Sequence, residues 1–230
     1  MILRSLNIGA SSLLAQQKAI DVISQNIANV NTPGYSRQTT ELVSAVPDHI
    51  AGRDYGNGVN IASVRRSIDP MLAKAQLTNN SLASFAQTLT GGLTSIEAIF
   101  GNLDAPGLTS TLDDFFQAQQ QLANTPEDPI SRLNVQSRAE DVVIRISGMH
   151  QQLIERQLAA DQEISPLITQ VNNLLDQIAD LNNAIIAHET VSLSIDQAND
   201  LRDQRDMAVM ELSKLIPLQR VETNDGGLLL

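Results

Sequence analysis

A chain of 230 residues that is 42% hydrophobic but only 3% aromatic must build its core from aliphatic side chains, as helical bundles do. Its net charge of −11 argues against partners whose phosphates demand Lys and Arg, so neither nucleic acid nor an anionic bilayer is expected. With no cysteine, disulfides, zinc–thiolate sites and cysteine nucleophiles are excluded.

The first element is a helix of about 25 residues. Leu6, Leu13, Ile20 and Ile27 recur at every seventh position, with Ile23 and Val30 at the companion position. One helix cannot cover such a seam alone, so it needs a partner helix. Gln16, Gln17, Lys18, Asp21 and Gln25 interrupt the segment, which therefore lacks the apolar core of a cleavable signal. Nor does any run of about 18 apolar residues occur that would span a membrane.

Asn31-Thr32-Pro33-Gly34 ends the helix. Pro33 cannot donate the helical hydrogen bond, and Gly34 is free to take a positive φ. From 36 to 68 the pattern changes: Thr39–Val43 is β-prone, Val59, Ile61 and Ser63 alternate, and Gly52, Gly56 and Gly58 punctuate. This predicts an extended or hairpin-like connector of low regular content.

Helix returns at Asp69-Pro70, a cap followed by a proline in the first helical position. Leu82, Phe85, Leu89, Ile96 and Ile99 form its stripe; Gly91-Gly92 marks a bend or a close helix contact. Pro106-Gly107 is a loop. A shorter helix follows from about Ser110 to Asn124, with Leu112, Phe115, Gln119 and Leu122 on one face. Asp128-Pro129 repeats the start device. The next helix is the longest, keeping one 3.5-residue phase from Ala139 through Val143, Ile146 and His150 to Val171, Leu174, Ile178, Leu181 and Ile185. The phase survives Ser165-Pro166, so one kinked helix is expected there. A last helix, from about Asp196 to Ile216, places Arg205 on its apolar stripe between Leu201 and Ala208. A structural ion pair of Arg205 with Asp203 or Asp206 is expected. After Pro217, alternation and the turn residues Asn224-Asp225-Gly226-Gly227 predict a hairpin, inside which the chain stops; part of a longer protein is expected.

Catalytic chemistry is not expected. His49, His150 and His188 are far apart, Gly56-Asn57-Gly58 lacks the strand-before, helix-after setting of a dinucleotide loop, and Asp113-Asp114 reads as a helix start. No cofactor and no metal is expected.

Four strings carry a resemblance: Asn26-Ile27-Ala28-Asn29-Val30-Asn31-Thr32-Pro33-Gly34-Tyr35-Ser36-Arg37-Gln38; Gly56-Asn57-Gly58-Val59 with Arg65-Arg66 and Asp69; Asp114-Phe115-Phe116 with Glu127-Asp128-Pro129; and Asp200-Leu201-Arg202-Asp203-Gln204-Arg205-Asp206. The first resembles the signature of bacterial flagellar rod, hook and hook-associated proteins. The other three are similar to the hook-associated protein 1 (FlgK) family, which joins hook to filament.

That resemblance implies a mainly α fold: an elongated bundle of long heptad-patterned helices, with a short β or extended connector near the N-terminus and the start of a β domain at the C-terminus. It implies an inner-layer helix and turn over 1–35, a connector over 36–68, a helical-bundle domain over 69–216 and an outer β domain opening at 217–230. Leu6, Leu13, Ile20, Ile23 and Ile27 would pack the inner layer; Asn26, Asn29, Pro33, Gly34 and Tyr35 would set the turn. The implied partners are the hook protein, the next hook-associated junction protein, further copies in a ring, and the flagellar type III export machinery. The implied location is the extracellular flagellum. A rod or hook axial protein and a secreted coiled-coil interaction module are the alternatives.

Overall fold

The computed structural model describes residues 2–50, 52–101, 107–191, 197–223 and 226–230. In chain order the elements are α1 (Ile2–Ala28), β1 (Gln38–Ser44), β2 (Asp48–Ile50), β3 (Arg53–Tyr55), β4 (Val59–Arg66), α2 (Pro70–Phe100), α3 (Leu108–Asn124), α4 (Pro129–Val191), α5 (Asn199–Leu215), β5 (Val221–Glu222) and β6 (Leu228–Leu229). The mainly helical class is as expected. Pro106, the helix start at Asp196 and the turn at Asn224-Asp225 lie outside the described residues. The chain divides into two compact units, residues 1–83 with 170–230, and residues 84–169.

In the first unit, residues 38–66 are more regular than the connector predicted for them. β1 and β4 form an antiparallel ribbon from Gln38↔Arg66 to Ser44↔Val59, and β2 pairs with β3 at its tip. A register slip between Glu41 and Leu42 breaks the alternation, which is why the sequence pattern is weak there. α1 lies on this ribbon by a face the heptads do not mark. Ala15 and Val22 on it are buried, and Ile8, Ser11 and Asn26 are half-buried. Gly58, at φ 92°, lets the ribbon approach: a Cβ there would lie 2.4 Å from Ser11 Oγ and 3.4 Å from Ile8 Cα. Arg4 holds the tip, donating to Asp48 and to the Tyr55 carbonyl at 3.3 Å each.

The core of this unit joins Leu77 of α2, Ile178 of α4, Ala208, Val209 and Leu212 of α5, and Leu228 of β6, with Val171, Leu174, Ile216 and Leu218 packed around them. The predicted α4 seam therefore does face a core from Val171 to Ile185.

In the second unit that seam slides. Met149 is buried, and Val142, Arg145, Arg156 and Ala159 are half-buried along with Ala139 and Leu153 of the predicted seam, whereas Val143, Ile146 and His150 of that seam are exposed. A straight α-helix drifts about 20° per heptad against a 3.5-residue repeat, so five heptads displace the inward face by about one residue. The helix runs on through Pro166. α2 is largely turned: Ser84, Gly92 and Ser95 are half-buried, and of the predicted stripe Ile99 is half-buried while Leu82, Phe85, Leu89 and Ile96 are exposed. Gly91 and Gly92 mark no close contact, because a Cβ on either would meet nothing within 4 Å, and the helix is unbroken across them. In α3, Ala118 is buried where Gln119 was expected to face inward. The Asp-Pro starts behave as predicted: Asp69 Oδ1 accepts from the Met71 and Leu72 amides at 2.9 and 3.2 Å, and Asp128 caps Ile130 and Ser131 at 3.1 Å.

Candidate functional site

The densest polar cluster of the first unit forms where the end of α1 meets α5. Asn26, in the last two turns of α1, reaches across the turn to the first residue of β1. Its side-chain amide donates to the Gln38 carbonyl and accepts from the Gln38 amide, both at 2.8 Å. Its Oδ1 also accepts from the Tyr35 hydroxyl at 3.0 Å. Burial, then the neighbouring charges of Asp200 and Asp203, raise the Tyr35 pKa, so the phenol keeps the proton it donates.

Gly34 makes this turn possible. Its φ is 80°, and a Cβ on it would lie 2.0 Å from Met207 Sδ and 2.5 Å from Met207 Cγ. Both the left-handed backbone and the seat of the α5 methionine therefore require glycine. Asn29 acts locally, donating to the Gln25 carbonyl at 3.0 Å and accepting from Thr32 at 3.1 Å. Pro33 sits exposed in the turn.

α5 receives the turn with its carboxylates. Asp203 Oδ2 accepts from the Ser36 amide at 2.9 Å, and Asp200 accepts from the Gln38 side chain at 3.2 Å. Asn199, buried, donates to the Val64 carbonyl at 2.9 Å. Arg66, the last residue of β4, bridges Asp203 at 2.8 Å and Asp206 at 2.9 Å.

The arginines of α5 face the other way. Arg202 binds Glu189 of α4 at 2.8 and 2.9 Å and makes a short contact with Glu222 of β5. Arg205 has 0% side-chain exposure. It donates to the Gly226 carbonyl at 2.7 Å and to Asn182 Oδ1 at 3.0 Å, and lies 3.4 Å from Glu222. Burial pulls its pKa down, against the opposing charges of Asp206 and Glu222. Asn182 completes the set by pairing with both polar groups of the Leu228 backbone, at 3.0 and 3.1 Å.

The expected pairing of Arg205 with Asp203 or Asp206 is thus corrected. Residues one and two positions apart on a helix point in different directions, so these carboxylates take Arg66 while Arg205 takes Glu222. Asp206 is also met by Arg220, at 3.0 Å.

The structure brings Asn26, Gly34 and Tyr35 together with Asp203. The seam residues are elsewhere: Leu6, Leu13, Ile20, Ile23 and Ile27 are 55–73% exposed, turned away from the ribbon. Gln38, Arg66, Asn199, Met207 and Glu222 were given no role by sequence reasoning. Gln38, Arg66 and the Asp200–Asp206 run do lie in the quoted strings, but nothing in them says which string touches which.

The Glu189–Arg202 pair makes this cluster acid-sensitive. Burial alone would raise the Glu189 pKa; hydrogen bonds from Arg202 and the Ala198 amide outweigh it and hold the carboxyl below its ordinary 4.5. The unfolded chain then binds more protons below that value, so this stabilisation is complete above about pH 4.5 and fades as pH falls through the folded pKa. The melting temperature should hold level from pH 7 to 5 and drop below about 4.5. Glu189→Gln should lower the neutral plateau and make the acid fall shallower in calorimetry; an unchanged profile would refute this assignment.

Among the described residues no group of His, Asp and Glu could hold a metal ion, and no helix is long and apolar enough to cross a membrane. The arrangement clamps backbone to backbone.

A family model of the flagellar hook-associated protein FlgK helical domain matches residues 93–230, and one of the flagella basal body rod protein matches residues 6–35. Flagellar hook-associated protein 1 of Salmonella typhimurium is 34% identical over 228 residues, covering 96% of this chain and 40% of that protein. The Bacillus subtilis protein of the same name is 30% identical over 224 residues, covering 94% and 43%. The chain thus spans less than half the length of these relatives. The structure of the flagellar hook junction protein FlgK from Burkholderia pseudomallei superposes with a TM-score of 0.53 at 26% identity, over 68% of this chain and 26% of that one.

Proposed function

This chain belongs to the flagellar hook-associated protein FlgK family, and from that premise we propose that it serves as a structural subunit joining hook to filament in the bacterial flagellum. The observation that carries the reading is the clamp between the α1 turn and α5. It holds α1 at a fixed aim on the ribbon while Leu6, Leu13, Ile20, Ile23 and Ile27 stay uncovered. A seam that one chain leaves open and several chains close suits a subunit that orders on assembly.

On this reading the seam packs an inner layer, and Asn26, Asn29, Pro33, Gly34 and Tyr35 fix the turn leaving it. Subunits pass out through the flagellar export apparatus, add as a ring to the hook tip, and present a surface to the next junction protein. The role is architectural, with no reaction assigned. A rod or hook subunit is the nearer alternative. It draws on residues 6–35, whereas the match to the FlgK helical domain extends over 93–230. A secreted coiled-coil module accounts for the seams but not for the clamp motifs.

The test uses the full-length protein as the sole copy in its own bacterium. Leu13→Glu with Ile20→Glu, both on the exposed seam, should leave export intact and shed the protein into the medium. Hooks should then stand bare of filament in electron micrographs. Filaments of normal number and length from this variant would sink the proposal.

A further inference from the structure

The contact between the α1 turn and α5 rests on a thioether. Met207 Cγ, Sδ and Cε would lie 2.5, 2.0 and 3.3 Å from a Cβ on Gly34, so the end of the side chain lies flat on the glycine and fills the room that the missing Cβ leaves. The sulfur is seated but not enclosed. Met207 is 43% exposed, and a cleft of about 270 Å³ runs beside it, lined by Gln25, Asn29, Thr32 and Gln204 together with the turn. Among the other described methionines, Met149 is buried in the second unit. Met71 and Met210 are exposed and take no part in the clamp.

We propose that Met207 is a reversible oxidation site, through which a hydroperoxide loosens the α1 turn from α5. In the step, a sulfur lone pair attacks an oxygen of the hydroperoxide. An S–O bond forms, the O–O bond breaks, and the leaving oxygen keeps the proton and departs as water or an alcohol. Sulfur gives up two electrons, the peroxide gains them, and the side chain becomes methionine sulfoxide. The product no longer suits its seat, because an apolar, bendable side chain has become a polar one whose oxygen is a strong acceptor. Asp203 stands one turn before Met207 and Asp200 two turns before, on the same face of α5. The new acceptor therefore arrives beside the carboxylate that holds the Ser36 amide and the one that holds the Gln38 side chain, adding negative potential and no donor. Water drawn to the sulfoxide parts it from Gly34, and the turn then holds α5 by hydrogen bonds that compete with solvent. The site follows from the clamp alone, whatever the chain assembles with.

The test uses the 230-residue chain carrying Met71→Leu and Met210→Leu, so that Met149 and Met207 are the described methionines left. With hydrogen peroxide at neutral pH and no denaturant, mass spectrometry of the peptides should show Met207 converting at least about tenfold faster than buried Met149. In the converted chain the Ser36 and Gln38 amides should exchange at least about tenfold faster and the melting temperature should fall by about 2–4 °C, with helical content unchanged by circular dichroism. Methionine sulfoxide reductases of both epimer specificities, supplied with dithiothreitol, should restore exchange and melting in the same sample, a control that needs no further variant. Met207→Gln, polar and of similar length, should reach the loosened state without peroxide, and Met207→Leu should not change when peroxide is added. Three results would each overturn the proposal: Met207 reacting no faster than Met149, a sulfoxide that leaves exchange and melting unmoved, or a Met207→Leu chain that loosens equally under peroxide.

Discussion

Arg205→Ala should cost about 3–5 kcal/mol of folding stability, as expected for emptying the site of a buried, hydrogen-bonded charge. Arg205 is fully buried, and truncation leaves the Gly226 carbonyl without its donor and removes one of the two donors to Asn182 Oδ1, the side chain that anchors Leu228. Lysine carries the charge but not the fork, so Arg205→Lys should recover little. For a chain of this size the loss is a fall of about 6–20 °C in melting temperature, measured by calorimetry. A fall of under about 2 °C would mean the C-terminal hairpin is not held through this residue.

Gly34→Ala should cost about 2–3 kcal/mol, from two separable sources. The left-handed backbone costs a non-glycine residue about 1–2 kcal/mol at φ 80°. The remainder comes from expelling Met207, whose Sδ and Cγ would stand 2.0 and 2.5 Å from the new Cβ. Because Cγ is struck as well as Sδ, the methionine must leave through a new χ1 rotamer rather than bend at its tip. In a Met207→Ala background the steric part is gone and the same substitution should cost only the backbone part. Chemical denaturation of the four chains in this cycle gives the answer. Equal costs in both backgrounds would show that Met207 does not occupy the seat. Amide exchange at Tyr35 and Gln38 should quicken in Gly34→Ala, since both belong to the turn that would be levered off α5.

Residues such as Asp69, Asp128 and Pro217 could be read from the sequence because capping and helix stopping are local acts, decided within three or four positions. The seam from Val171 to Ile185 was legible for a related reason: a short stretch of heptads keeps its phase. Five heptads back from Ile185 the same rule failed, and Met149 rather than His150 turned inward, because drift accumulates with length. The α1 face buried on the ribbon was overlooked because its apolar repeat, Ile8, Ala15 and Val22, is short and mixed with Ser11 and Asn26, beside a seam of larger leucines and isoleucines. The clamp was half visible. Its residues stand in the strings that carried the family resemblance, but a partnership across 137 positions, Arg66 with Asp203, has no signature in either segment alone.

α5 alternates its charges so that carboxylates hold the segment before it and arginines hold the strands after it. Arg220 links the two sets, meeting Asp206 at 3.0 Å and Glu222 at 3.9 Å. α5 is thus a two-sided joint, tied to β5 by the chain itself and to the α1 turn by Asp203 and Met207. Its two sides differ in their answer to salt: Glu222 is 43% exposed and its pairs should loosen first, whereas the side chains of Arg66 and Asp203 are nearly buried and should hold.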